Sequence, residues 1–169
     1  MDFKFILGRH DRELDRKDEL TAAVALPVSI LAALGGAVAT MARGFSYGPG
    51  RLSIAFGIAL SIHVAATALC LYWLARNYTG STYVYLPRLG ELETARKEWA
   101  TFYEAAKQGG AEEDFFKHEF ERRIIEATDA NAATNDSRTA YIDRANQTLV
   151  AVLIAAAVCG GIYVLDQIR

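Results

Sequence analysis

The sequence predicts an all-α membrane protein. Three transmembrane helices are expected, with a cytoplasmic helical hairpin between spans two and three whose last helix continues into span three. Three observations carry this expectation. The stretches Leu20–Ala42, Leu52–Ala75 and Ala145–Leu165 contain no Lys, Arg, Asp or Glu. About 20 apolar residues, at a helical rise of ~1.5 Å each, cross a hydrocarbon core of ~30 Å. The 18 Lys and Arg lie outside these stretches: five in residues 1–19, two in 43–51, ten in 76–144, and Arg169. Helical periodicity also runs without a breaker from Phe115 to Gly160. The mean hydropathy of the whole chain, +0.11, hides the spans because its charge is segregated from them.

The positive-inside rule places cation-rich segments in the cytoplasm. The N-terminus is then inside, the loop around Phe45–Gly50 outside, residues 76–147 inside and the C-terminus outside. Ala37-Val38-Ala39 resembles a signal-peptidase site, but the apolar run exceeds an h-region and six acids precede it in residues 1–19. The first stretch is therefore expected to remain as a span.

In order along the chain, residues 1–19 place Phe3, Leu7, His10 and Leu14 on one helical face. This suits an interfacial helix under the membrane, or an arm contacting a partner. Span one, 20–42, holds Pro27, which is expected to bend it. The turn-rich loop Arg43-Gly-Phe-Ser-Tyr-Gly-Pro-Gly-Arg51 forces an antiparallel hairpin with span two, 52–75. Phe45 and Tyr47 suit one membrane interface, and Tyr72, Trp73 and Tyr78 the other.

Residues 76–147 form the expected cytoplasmic hairpin. Thr79–Pro87 reads as a connector, and a helix follows over 88–108 with Leu89, Leu92, Trp99, Phe102 and Ala106 on one face. Gly109-Gly110 ends it, and Glu112, Glu113 and Asp114 open the next at the positive end of its dipole. From there Phe120, Ile124, Ala127, Asn131, Thr134, Arg138, Tyr141 and Ala145 alternate in steps of four and three, a coiled-coil seam. It continues through Val152, Ala155 and Cys159 into span three, 148–165. Cys70 and Cys159 lie within spans and read as buried thiols.

The seam is apolar at Phe120 and Ile124, then polar at Asn131, Thr134 and Arg138, with Asn135 and Tyr141 adjacent. Polar seam residues set register and oligomer state at a cost in stability, which is their structural reading. Their functional reading is a ligand site of Asn131, Asn135, Arg138 and Tyr141, repeated by symmetry as a regulatory ring. Arg138 could pair a phosphate and Tyr141 stack a base. Residues 76–147 carry ten cations and thirteen acids, so no general nucleic-acid surface is expected.

His63 is the one strongly ionisable side chain within a span, a candidate for gating or for a hydrogen bond to a neighbouring helix. Ser29, Ala33, Gly36 and Thr40 stripe span one; Ser53, Gly57, Ser61 and Ala65 stripe span two. Such faces allow close helix packing, or line a narrow water path with Ser29, Ser61 and His63 as pore or gating candidates. Three short spans with small-residue faces favour self-association. No arrangement of Ser/His/Asp or Cys/His, metal-ligand spacing or nucleotide fingerprint points to an enzyme, a cofactor or a metal.

Tyr83-Val-Tyr-Leu-Pro87, and Ala127-Thr-Asp-Ala-Asn-Ala-Ala-Thr-Asn-Asp-Ser-Arg-Thr-Ala-Tyr141 leading into a final span, carry a resemblance. With the two-span hairpin, they resemble small bacterial membrane effectors of anti-phage defence, among them the channel-forming effector of the Hailong system. The resemblance implies a homo-oligomeric inner-membrane channel with a periplasmic C-terminus and a tetramer as its candidate stoichiometry. It also implies a nucleotidyltransferase-like partner whose oligodeoxyadenylate product holds the channel closed. The rival expectation is a non-conducting membrane anchor that recruits a soluble partner through the cytoplasmic helices. A third is a subunit of a transporter or membrane enzyme.

Overall fold

The computed structural model describes residues 3–79, 81–105 and 111–169, and within them it is helical with no strand. Five helices follow in order: α1 Phe3–Ala22, α2 Ala25–Gly44, α3 Arg51–Tyr78, α4 Leu89–Ala105 and α5 Ala111–Gln167. Three helical stretches, within Phe3–Gly44, Arg51–Tyr78 and Phe115–Gln167, are long and apolar enough to cross a membrane. Only 22%, 22% and 28% of their most apolar windows is buried by the chain itself. Ile54, Ile58, Ile62, Val64, Val150, Ile154 and Val158 all face outward. So much exposed aliphatic surface suits lipid and not water, and the three helices are compatible with membrane insertion.

The chain divides into two compact units, one of Met1–Asp18 with Thr82–Asp136, the other of Glu19–Ser81 with Ser137–Arg169. The second, apolar unit holds α2, α3 and the C-terminal half of α5. Val24, Leu31, Cys70, Leu74, Ala145, Leu149 and Val152 form one core cluster. Phe45, Phe56, Ala59 and Cys159 form another. Both cysteines are free and buried, and the Cys70 thiol donates to the Ala145 carbonyl at 3.3 Å.

Pro27 acts differently from the bend expected of it. A turn at Ala23–Val24 separates α1 from α2, and Pro27 sits in the first turn of α2. The N–H that proline lacks would have bonded the Ala23 carbonyl, and its ring crowds that same group. The break therefore falls four residues upstream, and the rest of α2 runs on to Gly44. In the loop that follows, Phe45 alone is turned inward. Phe45 is buried and stacks on Phe56 at 4.3 Å between ring centroids, while Tyr47 meets Phe45 edge-on at 5.2 Å. The end of α5 is pinned here: the Ser46 N–H donates to Asp166 Oδ2 at 2.9 Å, and Gln167 Nε2 donates to the Gly44 carbonyl at 3.2 Å. A side chain at position 44 would meet Tyr163 Oη at 2.8 Å, so glycine permits this close approach.

In the other, polar unit, α1 packs on α5. The face it buries is Ile6, His10 and Glu13, not Phe3 and Leu14, so the expected stripe was displaced toward a carboxylate. Glu13 tolerates burial because Asn135 hydrogen-bonds it and Arg16 lies 3.6 Å away. The Thr128 hydroxyl donates to the Ile124 carbonyl at 2.7 Å. In the 3.4 Å contact between Thr128 Oγ1 and His10 Nδ1, the imidazole N–H is then the donor. Residues 81–88 are non-helical, as expected of a connector. Trp99 on α4 contacts Phe115 on α5 at 4.8 Å, yet Phe102 stays 62% exposed, so the aromatic face of α4 is only partly covered. The turn expected at Gly109-Gly110 and the side chains of residues 112–114 lie outside the described residues.

Near its start, α5 carries a charged lattice. Glu119 accepts from Arg122 Nη2 at 2.7 Å and from Arg123 Nε at 3.0 Å. These bonds hold its carboxyl at about 2, well below the ordinary 4.5. A depressed carboxylate stabilises the helix above 4.5, and that contribution is lost as pH falls from 4.5 through about 2. Titration of Glu119 followed by NMR should show it still ionised at pH values where ordinary glutamates are neutral. A midpoint in the ordinary range would mean that these pairs do not persist in solution.

Candidate functional site

The stripe that α5 buries comprises Ile124, Ala127, Asn131, Asn135, Arg138, Ile142, Ala145, Leu149, Val152, Ala155 and Cys159, with Thr128 and Ala156 buried beside it. It steps by three and four, as the seam requires. Two positions differ from expectation: Asn135 and Ile142 are buried, whereas Thr134 and Tyr141 are half-exposed flanks. The rest of the seam keeps its register, since buried Ile124, Asn131, Arg138, Ala145, Val152 and Cys159 follow one another at seven-residue spacing. In each unit this seam is covered by elements of the same chain.

In the polar unit, Asn131 binds backbone. Its Oδ1 accepts the Val84 N–H at 2.8 Å and its Nδ2 donates to the Val84 carbonyl at 2.9 Å. The carboxamide thus serves both main-chain groups of one residue, as a neighbouring β-strand would. Asn135 lies one turn further along. Its Nδ2 donates to the Glu13 carbonyl at 2.7 Å and to Glu13 Oε2 at 3.0 Å, while its Oδ1 accepts from Tyr83 Oη at 2.6 Å. Thr134 adds a bond to the Thr82 carbonyl at 3.3 Å. Together these side chains fasten the 82–84 segment and α1 to α5. Lys17 closes the edge, donating to Tyr85 Oη at 3.0 Å with its ammonium 5.6 Å from the Tyr83 ring centroid. The hydrogen bond and charge of Tyr85 raise the Lys17 pKa above its ordinary value.

In the apolar unit, Arg138 is 3% exposed. Its Nε donates to Asn77 Oδ1 and its Nη2 to Thr21 Oγ1, each at 3.0 Å. Asn77 is fully buried, and its Nδ2 has no acceptor among the described residues. Tyr141 stacks on Trp73 at 6.1 Å and accepts a long hydrogen bond, 3.4 Å, from Arg76.

The four expected ligand residues therefore fall two to each unit, and every one is already engaged by the chain. Sequence reasoning missed their partners Glu13, Asn77 and Tyr83. Asn77 carried one signal: it is a carboxamide standing directly after the charge-free run and Arg76.

The pore candidates are not gathered on one surface. Ser29 and Ser61 are exposed, and their hydroxyls donate to the carbonyls four residues back, Ala25 at 2.9 Å and Gly57 at 2.8 Å. His63 is 4% exposed on the opposite face of α3, with Nδ1 3.4 Å from the Val152 carbonyl. This geometry is that of a cross-helix hydrogen bond. Among the described residues no cluster of His, Cys, Asp or Glu is placed to hold a metal ion.

No family model matches the chain, and no curated protein or solved structure shows significant similarity to it.

Proposed function

We propose that the chain is a homo-oligomeric inner-membrane channel, an effector of anti-phage defence, gated through its cytoplasmic helices by a nucleotide-type ligand and depolarising the membrane when open. The observation that carries this reading is the set of buried polar side chains Asn131, Asn135 and Arg138 on a 57-residue helix that runs on into a charge-free stretch. Buried polar side chains with internal partners set register, and they can also exchange one partner for another, which a gate uses. The N-terminus is cytoplasmic and the C-terminus periplasmic in this reading, on the cation distribution. The exposed Ser29, Gly36 and Thr40 face of α2, with Ser61 on α3, is available to line a path between copies.

Because Asn131, Asn135, Arg138 and Tyr141 already have internal partners, a ligand reaching them competes with those partners. Its binding energy then changes the conformation, which is what a gate needs. On the resemblance described above, the ligand is an oligodeoxyadenylate made by a nucleotidyltransferase-like enzyme. The anchor reading has its own support: the same internal bonds satisfy a purely architectural role, and the partly covered aromatic face of α4 offers a soluble partner a surface.

The test is membrane-potential dye fluorescence in cells, followed by conductance of purified protein in planar bilayers. The parent should conduct, and oligodeoxyadenylate should close it. Arg138→Lys, which keeps charge but loses the guanidinium fork, should still conduct while binding oligodeoxyadenylate about tenfold more weakly. A parent protein that assembles in the membrane without conducting would leave the anchor reading.

A further inference from the structure

The end of α3 that carries Arg76 and the middle of α5 that carries Arg144 form a cluster that the gating proposal does not use. Arg144 lies over the Trp73 ring at 4.8 Å from its centroid, and Arg76 over the Tyr141 ring at 5.5 Å. Trp73 and Tyr141 stack on each other at 6.1 Å, with an interplanar angle of 17°, and Tyr72 meets Trp73 edge-on at 4.9 Å. Two guanidinium groups on neighbouring helices are thereby held by a shared aromatic platform. Both arginines are exposed. Among the described residues neither lies within 4.0 Å of a carboxylate, and Asp143, next to Arg144 in the chain, forms no ion pair with either. Arg76 spends one N–H on Tyr141 Oη. A guanidinium stacked on a ring keeps its in-plane N–H donors directed outward.

Their level along the helices identifies the ligand. The Cys70 thiol bonds the Ala145 carbonyl, so these two positions of α3 and α5 lie side by side. Arg76 is the first charge after the uncharged stretch of α3, and Arg144 the last before that of α5. In a bilayer both sit where hydrocarbon gives way to phosphate, with Trp73, Tyr72 and Tyr141 at the same depth. Exposed Leu69, seven residues before Arg76 and therefore on the same face of α3, continues from the cluster toward the hydrocarbon.

We propose that Arg76 and Arg144, presented on Trp73 and Tyr141, form a binding site for the headgroup of an anionic phospholipid. Each guanidinium donates N–H groups to lipid phosphodiester oxygens, and the acyl chains lie along Leu69. A lipid fits better than a soluble anion because the apolar surface beside the charges gives its uncharged part a place. The site depends only on insertion of α3 and α5, and holds for a channel or an anchor alike.

The probe is phosphatidylglycerol added to detergent-solubilised full-length protein, read by native mass spectrometry and thermal shift. Parallel arms use phosphatidylcholine and inorganic phosphate. Phosphatidylglycerol should be retained and raise the melting temperature, whereas phosphatidylcholine and inorganic phosphate should do neither. Arg76→Gln with Arg144→Gln should retain about tenfold less phosphatidylglycerol, in line with the attraction of a basic residue to an anionic surface. Arg51→Gln, at the opposite end of α3, should behave as the parent. If the double variant loses its helical circular dichroism, Arg144→Gln alone should show about a threefold loss. Undiminished retention in a folded variant overturns the proposal. Equal stabilisation by inorganic phosphate, or equal retention of phosphatidylcholine, also overturns it.

Discussion

Replacing Asn131 by alanine should release the 82–85 segment from α5. The substitution removes both bonds to the Val84 backbone and leaves a small cavity at a fully buried position. Two hydrogen bonds of ordinary net strength, with the lost contacts, amount to about 2–3 kcal/mol. Limited chymotrypsin digestion reads this directly, because Tyr83 and Tyr85 flank the fastened residue. Cleavage there should rise by at least tenfold, following the population of the opened segment. Asn131→Asp gives a sharper check. Its carboxylate can still accept the Val84 N–H, but it sets an oxygen against the Val84 carbonyl, so it should open the segment at least as far as alanine does. If Asn131→Ala is cleaved at the parental rate, the bidentate bond does not hold the connector in solution.

The second large effect is non-additive. Arg138→Met removes the only donor to Asn77 Oδ1 among the described bonds, while Asn77 Nδ2 already lacks an acceptor. A fully buried carboxamide would then have no partner, at a cost of about 2–4 kcal/mol. Changing both residues, as in Asn77→Leu with Arg138→Met, removes the stranded group as well as the buried charge. Most of the lost stability should return, because apolar replacements of both partners are close to neutral. Denaturation in detergent of the parent, the two single variants and the double variant forms a closed cycle. A coupling of about 2 kcal/mol is expected. Losses that simply add would mean that Arg138 and Asn77 act independently, and that the 3.0 Å bond between them is incidental.

The helical class and the three apolar helices were legible because both are written in short-range patterns, charge-free runs and three-four steps. The buried stripe of α5 was legible for the same reason, apart from the shift to Asn135 and Ile142. At Asn135 that shift follows from what lies opposite, Glu13 and Tyr83, because the seven-residue spacing from Ile124 to Cys159 is kept. What covers the stripe was not legible. A seam of polar residues says that something polar lies opposite, without saying whether it belongs to another copy or to the same chain. Glu13 illustrates the difficulty. A carboxylate reads as solvent-facing until its partner Asn135, 122 residues away, is known. Asn131 was likewise legible as a polar seam position, but not its partner, the backbone of Val84. The displaced face of α1 has the same origin, since Leu14 suits an apolar stripe better than Glu13 until Asn135 is placed.

The chain passes between its two units three times, and the passages differ in stiffness. One falls within α1, between Asp18 and Glu19, and the turn at Ala23–Val24 interrupts the backbone soon after. Another falls between Ser81 and Thr82, where the backbone is non-helical. The third, between Asp136 and Ser137, lies in the middle of an unbroken α5. A non-helical connector carries tension but no torque, and an interrupted helix bends at its break. Asn131 and Val152 stand in different units and yet on one unbroken, hydrogen-bonded rod.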